Sequence, residues 1–286
     1  MRILLTGAGG TIGRGLVPQL ESAGHQLVLS DLVRPDWLAA ESPHEFHQLD
    51  VQAGVGLDRA GAGCDLLLHT PAWHGIHSAV RTEADFWRLN VDGTFWALQA
   101  VRSNDIRRVV FLSSQSWHAR YDKYGFTKRI GEELLEYHRR NAGIGYVAVR
   151  PADLTPWGTD WPGKYGARLL YGGVDRLDVL SAVCSSVAFL EQQDDGLVLD
   201  AVRPNAFTAE QLAGWTDDPI GTAETIFPGS REVVDRFGLD ISRRPSLTGD
   251  TGWQQIGYAP THHFGTFVQE ALSLGTDEAL ARICDY

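Results

Sequence analysis

Long apolar runs, paired cysteines and lysine are what this 286-residue chain has least of. No apolar stretch reaches the roughly 18 residues that span a bilayer, so a membrane partner is not expected. The three cysteines, Cys64, Cys184 and Cys284, lie far apart with no paired-ligand spacing. That excludes a disulfide framework and a cysteine zinc site, and it fits the reducing cytoplasm. Positive charge is short as well, with 25 basic against 36 acidic residues and a net charge of -11. Nucleic acid is not expected as a partner, because phosphate binding wants a basic face. Lysine itself occurs only at Lys123, Lys128 and Lys164, and every other basic residue is arginine. In such a chain a lysine inside a motif is less often accidental.

What is present is an ordinary globular composition, 43% hydrophobic and 21% charged, in a chain long enough to bury a substantial core. The opening "MRILLTGAGG" reads as a buried strand and turn rather than a signal peptide. Strand-like runs "RILLT" (2–6), "QLVLSD" (26–31), "FHQLDV" (46–51), "DLLLHT" (65–70), "RRVVFLSS" (107–114) and "GYVAVRP" (145–151) alternate with helix patterns. The helices are expected over about 11–23, 83–103 and 123–141. Short continuous apolar strands separated by helices imply a parallel sheet covered on both faces, an α/β doubly wound architecture. After Pro151 the rhythm changes. "TPWGTDWPGKYG" (155–166) reads as loop, 174–192 as helix and "GLVLDAV" (196–202) as a late strand. The expected organisation is a nucleotide-binding core over 1–154 and a small interwoven C-terminal lobe over 155–286, with 174–202 returning to the core.

"TGAGGTIG" places Gly7, Gly10 and Gly13 between the first strand and the first helix. The first glycine permits a tight turn, the second a close backbone approach to a pyrophosphate, the third helix-on-strand packing. Thr11, Ile12 and Gly13 then open a helix whose free N–H groups and dipole favour phosphate. This predicts a Rossmann-type dinucleotide site. Asp31 ends the second strand, where a carboxylate can hold both adenosine ribose hydroxyls and would repel a 2'-phosphate. NAD is therefore favoured over NADP, although Arg34 stands close enough to offset that repulsion, and a strand-end aspartate can simply cap a turn. Asp50 and Val51, after the third strand, are placed to contact adenine, or Asp50 to cap its own turn.

The stretch "SSQSWHARYDKYGFTK" (113–128) carries the second signal. Tyr124 and Lys128 are four apart and share a helix face, whereas Tyr121 faces Gly125 and Lys123 has no tyrosine four before it. A phenol with an ordinary pKa of about 10 is favoured as phenolate by a neighbouring ammonium. It can then take a proton from an alcohol while hydride leaves the same carbon. A serine hydroxyl at the preceding strand end, Ser114 or its rival Ser116, would orient that alcohol.

With "HTPA" (69–72), "NVDGT" (90–94), "FLSS" (111–114), "YGFTK" (124–128) and "RPADL" (150–154), the chain resembles the extended short-chain dehydrogenase/reductase superfamily, the NAD-dependent epimerase/dehydratase proteins. The late "LTGDTGWQQIGYAPTHHFGTFVQEAL" (247–272) looks like the family's closing segment. The resemblance implies catalytic roles for Ser114, Tyr124 and Lys128, with Asn90 supporting the site. It implies cofactor contacts from Thr70, Pro71 and Ala72, from Tyr124 and Lys128, and from Pro151 to Leu154, and homodimerisation through two helices flanking the sheet. Two departures stand out: only ten residues separate Ser114 from Tyr124, and little chain lies between Pro151 and 174–179. Nucleotide-sugar members usually carry more there, so the substrate is expected to be small: a free sugar, a sugar acid or another polyol, as in uronate dehydrogenases.

His74, Ser116, Trp117, Trp157 and Arg168 are candidate substrate contacts at the strand carboxyl ends, each balanced by a packing or surface role. Trp73, Trp161, His118 and Arg176 fall in the same class. His74 and His77 have no evident third ligand, so no metal is expected. The functional expectation is an NAD-dependent oxidoreductase. Its alternatives are a sugar or nucleotide-sugar epimerase or dehydratase that recycles bound NAD, and a dinucleotide-sensing protein without catalysis.

Overall fold

Seven strands form one sheet in the computed structural model, which describes residues 1–116, 122–155, 158–203, 206–247 and 252–284. They are β1 (Arg2–Thr6), β2 (Gln26–Asp31), β3 (Glu45–Gln48), β4 (Leu66–His69), β5 (Arg108–Leu112), β6 (Gly145–Pro151) and β7 (Gly196–Ala201), in the order β3-β2-β1-β4-β5-β6-β7. The pairings from β3 through β6 are parallel. β7 extends the same sense, with the Tyr146 N–H on the Asp195 carbonyl and the Ala152 N–H on the Ala201 carbonyl. The central strands are short, mainly apolar runs because helices cover both faces, and β1 and β4 are buried almost throughout. The first six strands follow the doubly wound dinucleotide-binding order.

The chain divides into two compact units. The first comprises Met1–Arg150, Val183–Leu199 and Gly252–Gly257. Its helices are α1 (Thr11–Ser22), α2 (Leu57–Gly61), α3 (Glu83–Phe86), α4 (Gly93–Ser103) and α5 (Lys123–Ala142). One core layer packs Leu98, Val101 and Leu135 from α4 and α5 on Leu4, Leu67, Val109 and Phe111 of the sheet. α5 starts at Asp122, whose Oδ1 accepts the Gly125 N–H at 2.8 Å, and stops at Gly143 in the left-handed region.

The second unit comprises Pro151–Ala182, Asp200–Thr251 and Tyr258–Tyr286. It holds α6 (Gly166–Tyr171), the first turns of α7 (Arg176–Gln192) and several short helices around Trp161, Trp215, Phe264 and Phe267. Asp178, in the first turn of α7, accepts the N–H groups of Thr261 and His262 at 3.0 and 2.9 Å.

The structure departs from the expected elements in several places. The 83–103 helix is interrupted by a π-helical turn over Trp87–Asp92. The third strand ends at Gln48, because Asp50 turns the chain by accepting the Gln52 N–H. The stretch read as loop over 155–166 contains a π-helical turn, Trp161–Tyr165, running into α6. Its glycine and proline content hid an Asp160 cap on Gly163 and Lys164. No described helix is long and apolar enough to cross a membrane.

Candidate active site

At the carboxyl end of β1 the chain turns on contacts that leave no room for side chains. Gly7 has φ +76°, and a Cβ there would stand 2.5 Å from the Thr70 Oγ1. That hydroxyl donates to the Thr6 carbonyl at 2.9 Å, joining the ends of β1 and β4. A Cβ on Gly13 would fall 2.2 Å from the Gly7 carbonyl oxygen, so α1 can seat on the turn only with glycine at that position. Gly10 is the N-cap, with no side chain capping the helix, and exposed Thr11 precedes buried Ile12. Asp31 lies against this turn: its Oδ2 accepts the Gly9 N–H at 2.8 Å and its Oδ1 the Leu32 N–H at 2.7 Å. Arg34 is engaged elsewhere, donating to the Ala39 carbonyl at 2.7 Å and standing 5.2 Å over the Phe46 ring. Asp50 caps its own turn, and Val51 is buried beneath Gly93. A steric cradle, an uncapped helix N-terminus and a strand-end carboxylate together fit a dinucleotide.

On β5 and α5 the second constellation is almost wholly buried. Tyr124 is 8% exposed and Lys128 2%. α5 comes this close to the sheet because of Gly131, where a Cβ would stand 2.5 Å from the Phe111 ring. The Lys128 Nζ donates to the Leu112 carbonyl at 2.5 Å and lies 4.9 Å over the Phe111 ring. Burial pushes its pKa down to about 7, against the opposing charge of Glu132. Ser114, at the end of β5, accepts the Ser116 N–H at 3.0 Å and donates to the Ser116 Oγ at 3.1 Å, so the two rival serines are bonded to each other. Ser113 instead donates to Glu132 at 2.5 Å, and Arg150 grips both oxygens of Glu132 at 2.8 and 2.5 Å.

Asn90 sits in the π-helical turn, a feature frequent at functional sites. Its Oδ1 accepts the Trp73 N–H at 2.8 Å, and its Nδ2 donates to the Trp73 carbonyl at 3.1 Å and the Thr127 Oγ1 at 2.9 Å. Thr127 donates in turn to the Tyr124 carbonyl at 2.9 Å. One amide therefore clamps the segment after Pro71 and Ala72 to the helix that carries Tyr124. Lys123 clamps the other end of that segment, donating to the carbonyls of Ser78 and Arg81 at 2.8 and 2.6 Å. Between the clamps the His74 ring lies 5.8 Å from the Tyr124 ring. The His77 Nδ1 accepts the His74 N–H at 3.0 Å, so its neutral form carries the proton on Nε2. Arg81 stacks 4.1 Å over Trp73. Behind Lys128, the buried His69 is bonded to Thr6 at 2.8 Å, and burial followed by the Lys128 charge pushes its pKa down to about 3.

The remaining candidates fall in the second unit or outside the described residues. Leu154 pairs with Val174, and its carbonyl accepts from Arg168 at 2.9 Å, which gives that arginine a structural bond. Pro151 closes β6. Trp161 is a core residue, 3% exposed, rather than a loop-borne platform, because its ring packs 4.9 Å from Phe267. Trp117, His118 and Trp157 lie outside the described residues. Sequence reasoning passed over Ser113, Thr127, Glu132 and Arg150. The only signal for Glu132 was its spacing of four from Lys128.

A buried lysine one helical turn from a buried tyrosine on α5, beside a sheet that also bears a dinucleotide-shaped turn, is the arrangement of short-chain dehydrogenase/reductase enzymes. The chain belongs to the NAD dependent epimerase/dehydratase family, whose model matches residues 3–158, more than half of the chain. It is 34% identical over 153 residues to an uncharacterized protein of Mycobacterium tuberculosis, a match covering 53% of this chain and 15% of that one. It is 29% identical over 165 residues to the uronate dehydrogenase of Pseudomonas syringae pv. tomato, covering 52% and 58%. The chain thus spans less than two thirds of either relative. Its fold is that of the UDP-glucose 4-epimerase of Thermotoga maritima, with TM-score 0.68 and 18% identity over 96% of this chain and 98% of that one.

Proposed function

We propose that the protein is an NAD-dependent oxidoreductase that moves hydride between nicotinamide and a small polyhydroxylated substrate, a sugar, sugar acid or related alcohol or ketone. The observation that carries this reading is the buried Tyr124–Lys128 pair, set beside a segment that Asn90 and Lys123 hold in place. NAD, when bound, supplies the hydride acceptor. Gly7, Gly10, Thr11, Ile12 and Gly13 would hold its pyrophosphate, Asp31 its adenosine ribose, and Thr70, Pro71 and Ala72 its nicotinamide half. Arg34 is already bonded to Ala39, which supports NAD over NADP.

Tyr124 takes the proton from the substrate hydroxyl in the oxidative direction. The Lys128 ammonium favours the phenolate, and Ser114 or Ser116 orients the substrate oxygen. His74, His77 and Arg81 line the segment facing Tyr124 and would read the rest of the substrate. The short chain between Pro151 and α7 supports a substrate without a nucleoside diphosphate, as does the similarity to a uronate dehydrogenase. The likeness to an epimerase fold supports a second reading, in which NAD stays bound and is recycled.

Two measurements separate these readings. The purified protein is denatured and assayed for released NAD, and the native protein is offered uronic acids, aldoses and small ketones with NAD or NADP. An empty site with reduced-cofactor absorbance on adding a sugar or sugar acid supports the dehydrogenase. Stoichiometric retained NAD without net reduction supports the epimerase. Tight NAD binding with no turnover on any substrate would point to a sensor instead.

The reading includes a cytoplasmic homodimer. Trp87, Phe95 and Trp96 along α3 to α4, and Phe126 and Tyr137 on α5, are each 38 to 57% exposed, an apolar strip suited to a second copy. Light scattering on the purified chain should give twice its mass, and a monomer at assay concentration contradicts this part.

A further inference from the structure

We propose that Glu132, fixed by Arg150 and Ser113, is the counter-charge that keeps Lys128 an ammonium beside Tyr124, and is thus a positioning residue of the site. This rests on the reading of Tyr124 and Lys128 as the proton-transfer pair. Lys128 is buried, 2% exposed. Its Nζ bonds to the neutral Leu112 carbonyl, and burial alone drives such a group toward the uncharged amine. A neutral amine would neither favour the phenolate nor attract an anionic cofactor.

The groups that face Lys128 come from every element around it. β4 contributes His69, buried and uncharged at neutral pH. The segment after β4 contributes His74, and α5 contributes Glu132, which Arg150 of β6 holds. Among the described residues, Glu132 is the carboxylate that raises the proton affinity of Lys128.

The geometry explains why this carboxylate supports Lys128 without capturing it. Glu132 follows Lys128 by one helical turn, so both side chains project from one face of α5. Leu112 and Ser113, adjacent on the chain, meet them in turn: the Leu112 carbonyl takes the Lys128 Nζ, and the Ser113 hydroxyl donates to the Glu132 Oε1 at 2.5 Å. Arg150 occupies both carboxylate oxygens. A direct Lys128–Glu132 bond would draw the ammonium away from Tyr124. With its oxygens held by Arg150 and Ser113, Glu132 acts through its charge, and the remaining N–H groups of Lys128 stay available. The pair is nearly buried, with side chains 10 and 14% exposed, so its field is poorly screened.

A bridge that merely tied β5, β6 and α5 together would not have a sign; this one does. Glu132→Gln removes the negative charge and leaves Arg150, so Lys128 should lose its proton about one unit or more lower in pH. Arg150→Met removes the positive charge and leaves Glu132, so the same titration should move upward. Glu132→Gln/Arg150→Met removes both and should fall between them. It also replaces the buried pair rather than orphaning one member, which guards against loss of fold. With only three lysines in the chain, the Nζ resonances of the full-length protein can be followed directly by nitrogen-15 NMR, Lys128 being assigned by its absence in Lys128→Met. The alkaline limb of the kcat/KM profile should move with that resonance. Activity that needs the ammonium is present below its pKa and lost as pH rises through it. Opposite shifts in the two single variants support the proposal; shifts in the same direction, or none, overturn it. If the NMR titration shifts as expected while the alkaline limb survives in Lys128→Met, the counter-charge stands and the catalytic reading of Lys128 fails.

Discussion

The two parts of the candidate site, the proposed nucleotide end after β1 and the proposed catalytic end around α5, are built in opposite ways. The nucleotide end is local: eight consecutive residues, "TGAGGTIG", make a turn whose contacts exclude side chains, and Asp31 closes it by bonding to Gly9. The catalytic end is assembled from five separate stretches: Trp73 to Arg81, the π-helical turn at Trp87–Asp92, Ser113, α5 and Arg150. Steric exclusion holds the first and polar satisfaction holds the second. The first should therefore fail when volume is added, and the second when a single hydrogen-bonding group is removed.

The largest effect should come from adding volume at Gly13. Gly13→Val puts a branched side chain where even a Cβ would be 2.2 Å from a carbonyl oxygen. NAD affinity by calorimetry should fall beyond measurement, and turnover with it. NAD binding within a few-fold of wild type would show that α1 does not seat on the turn.

A smaller effect is expected at the catalytic end when Asn90 becomes Ala. The partly buried Trp73 N–H and carbonyl lose a partner, at up to about 1–3 kcal/mol for each group left unpaired, and Thr127 keeps only its bond to the Tyr124 carbonyl. kcat/KM should drop about 10- to 100-fold while NAD affinity changes less than about threefold. An equal loss in both would mean that Asn90 supports the whole fold rather than the catalytic end.

The smallest effect belongs to cofactor choice. Asp31→Ser should cut the ratio of kcat/KM for NAD over NADP by about tenfold, as expected for one lost charge-assisted contact. An unchanged ratio would assign Asp31 to the turn alone.

How much of this was legible in the sequence follows the same division. The alternation of strands and helices, the glycine turn and the strand end at Asp31 could be read because they depend on residues close together in the chain. Tyr124 and Lys128 could be paired by helical spacing. The π-helical turn could not be read: "DFWRLNVDGTF" fits an unbroken helix, and only the bonds from Asn90 to Trp73 and Thr127 reveal why the register slips there. Arg150 looked like the end of an apolar strand, and its partner Glu132 like one charge among several on α5. The two are 18 residues apart, and a bond of that separation leaves no periodic trace. Trp161 misled for a related reason, since a tryptophan before proline in a stretch rich in glycine reads as loop until a core forms around it.

The central claim is that Tyr124 carries the proton while the rest of the site binds cofactor without it. It is tested most directly by Tyr124→Phe, measured for turnover and NAD affinity in the same preparation. The predicted result is a loss of about 10²–10⁴-fold in kcat, the range for removing a general acid–base group, with NAD affinity within about threefold of wild type. Turnover close to wild type, at unchanged NAD affinity, would contradict the account.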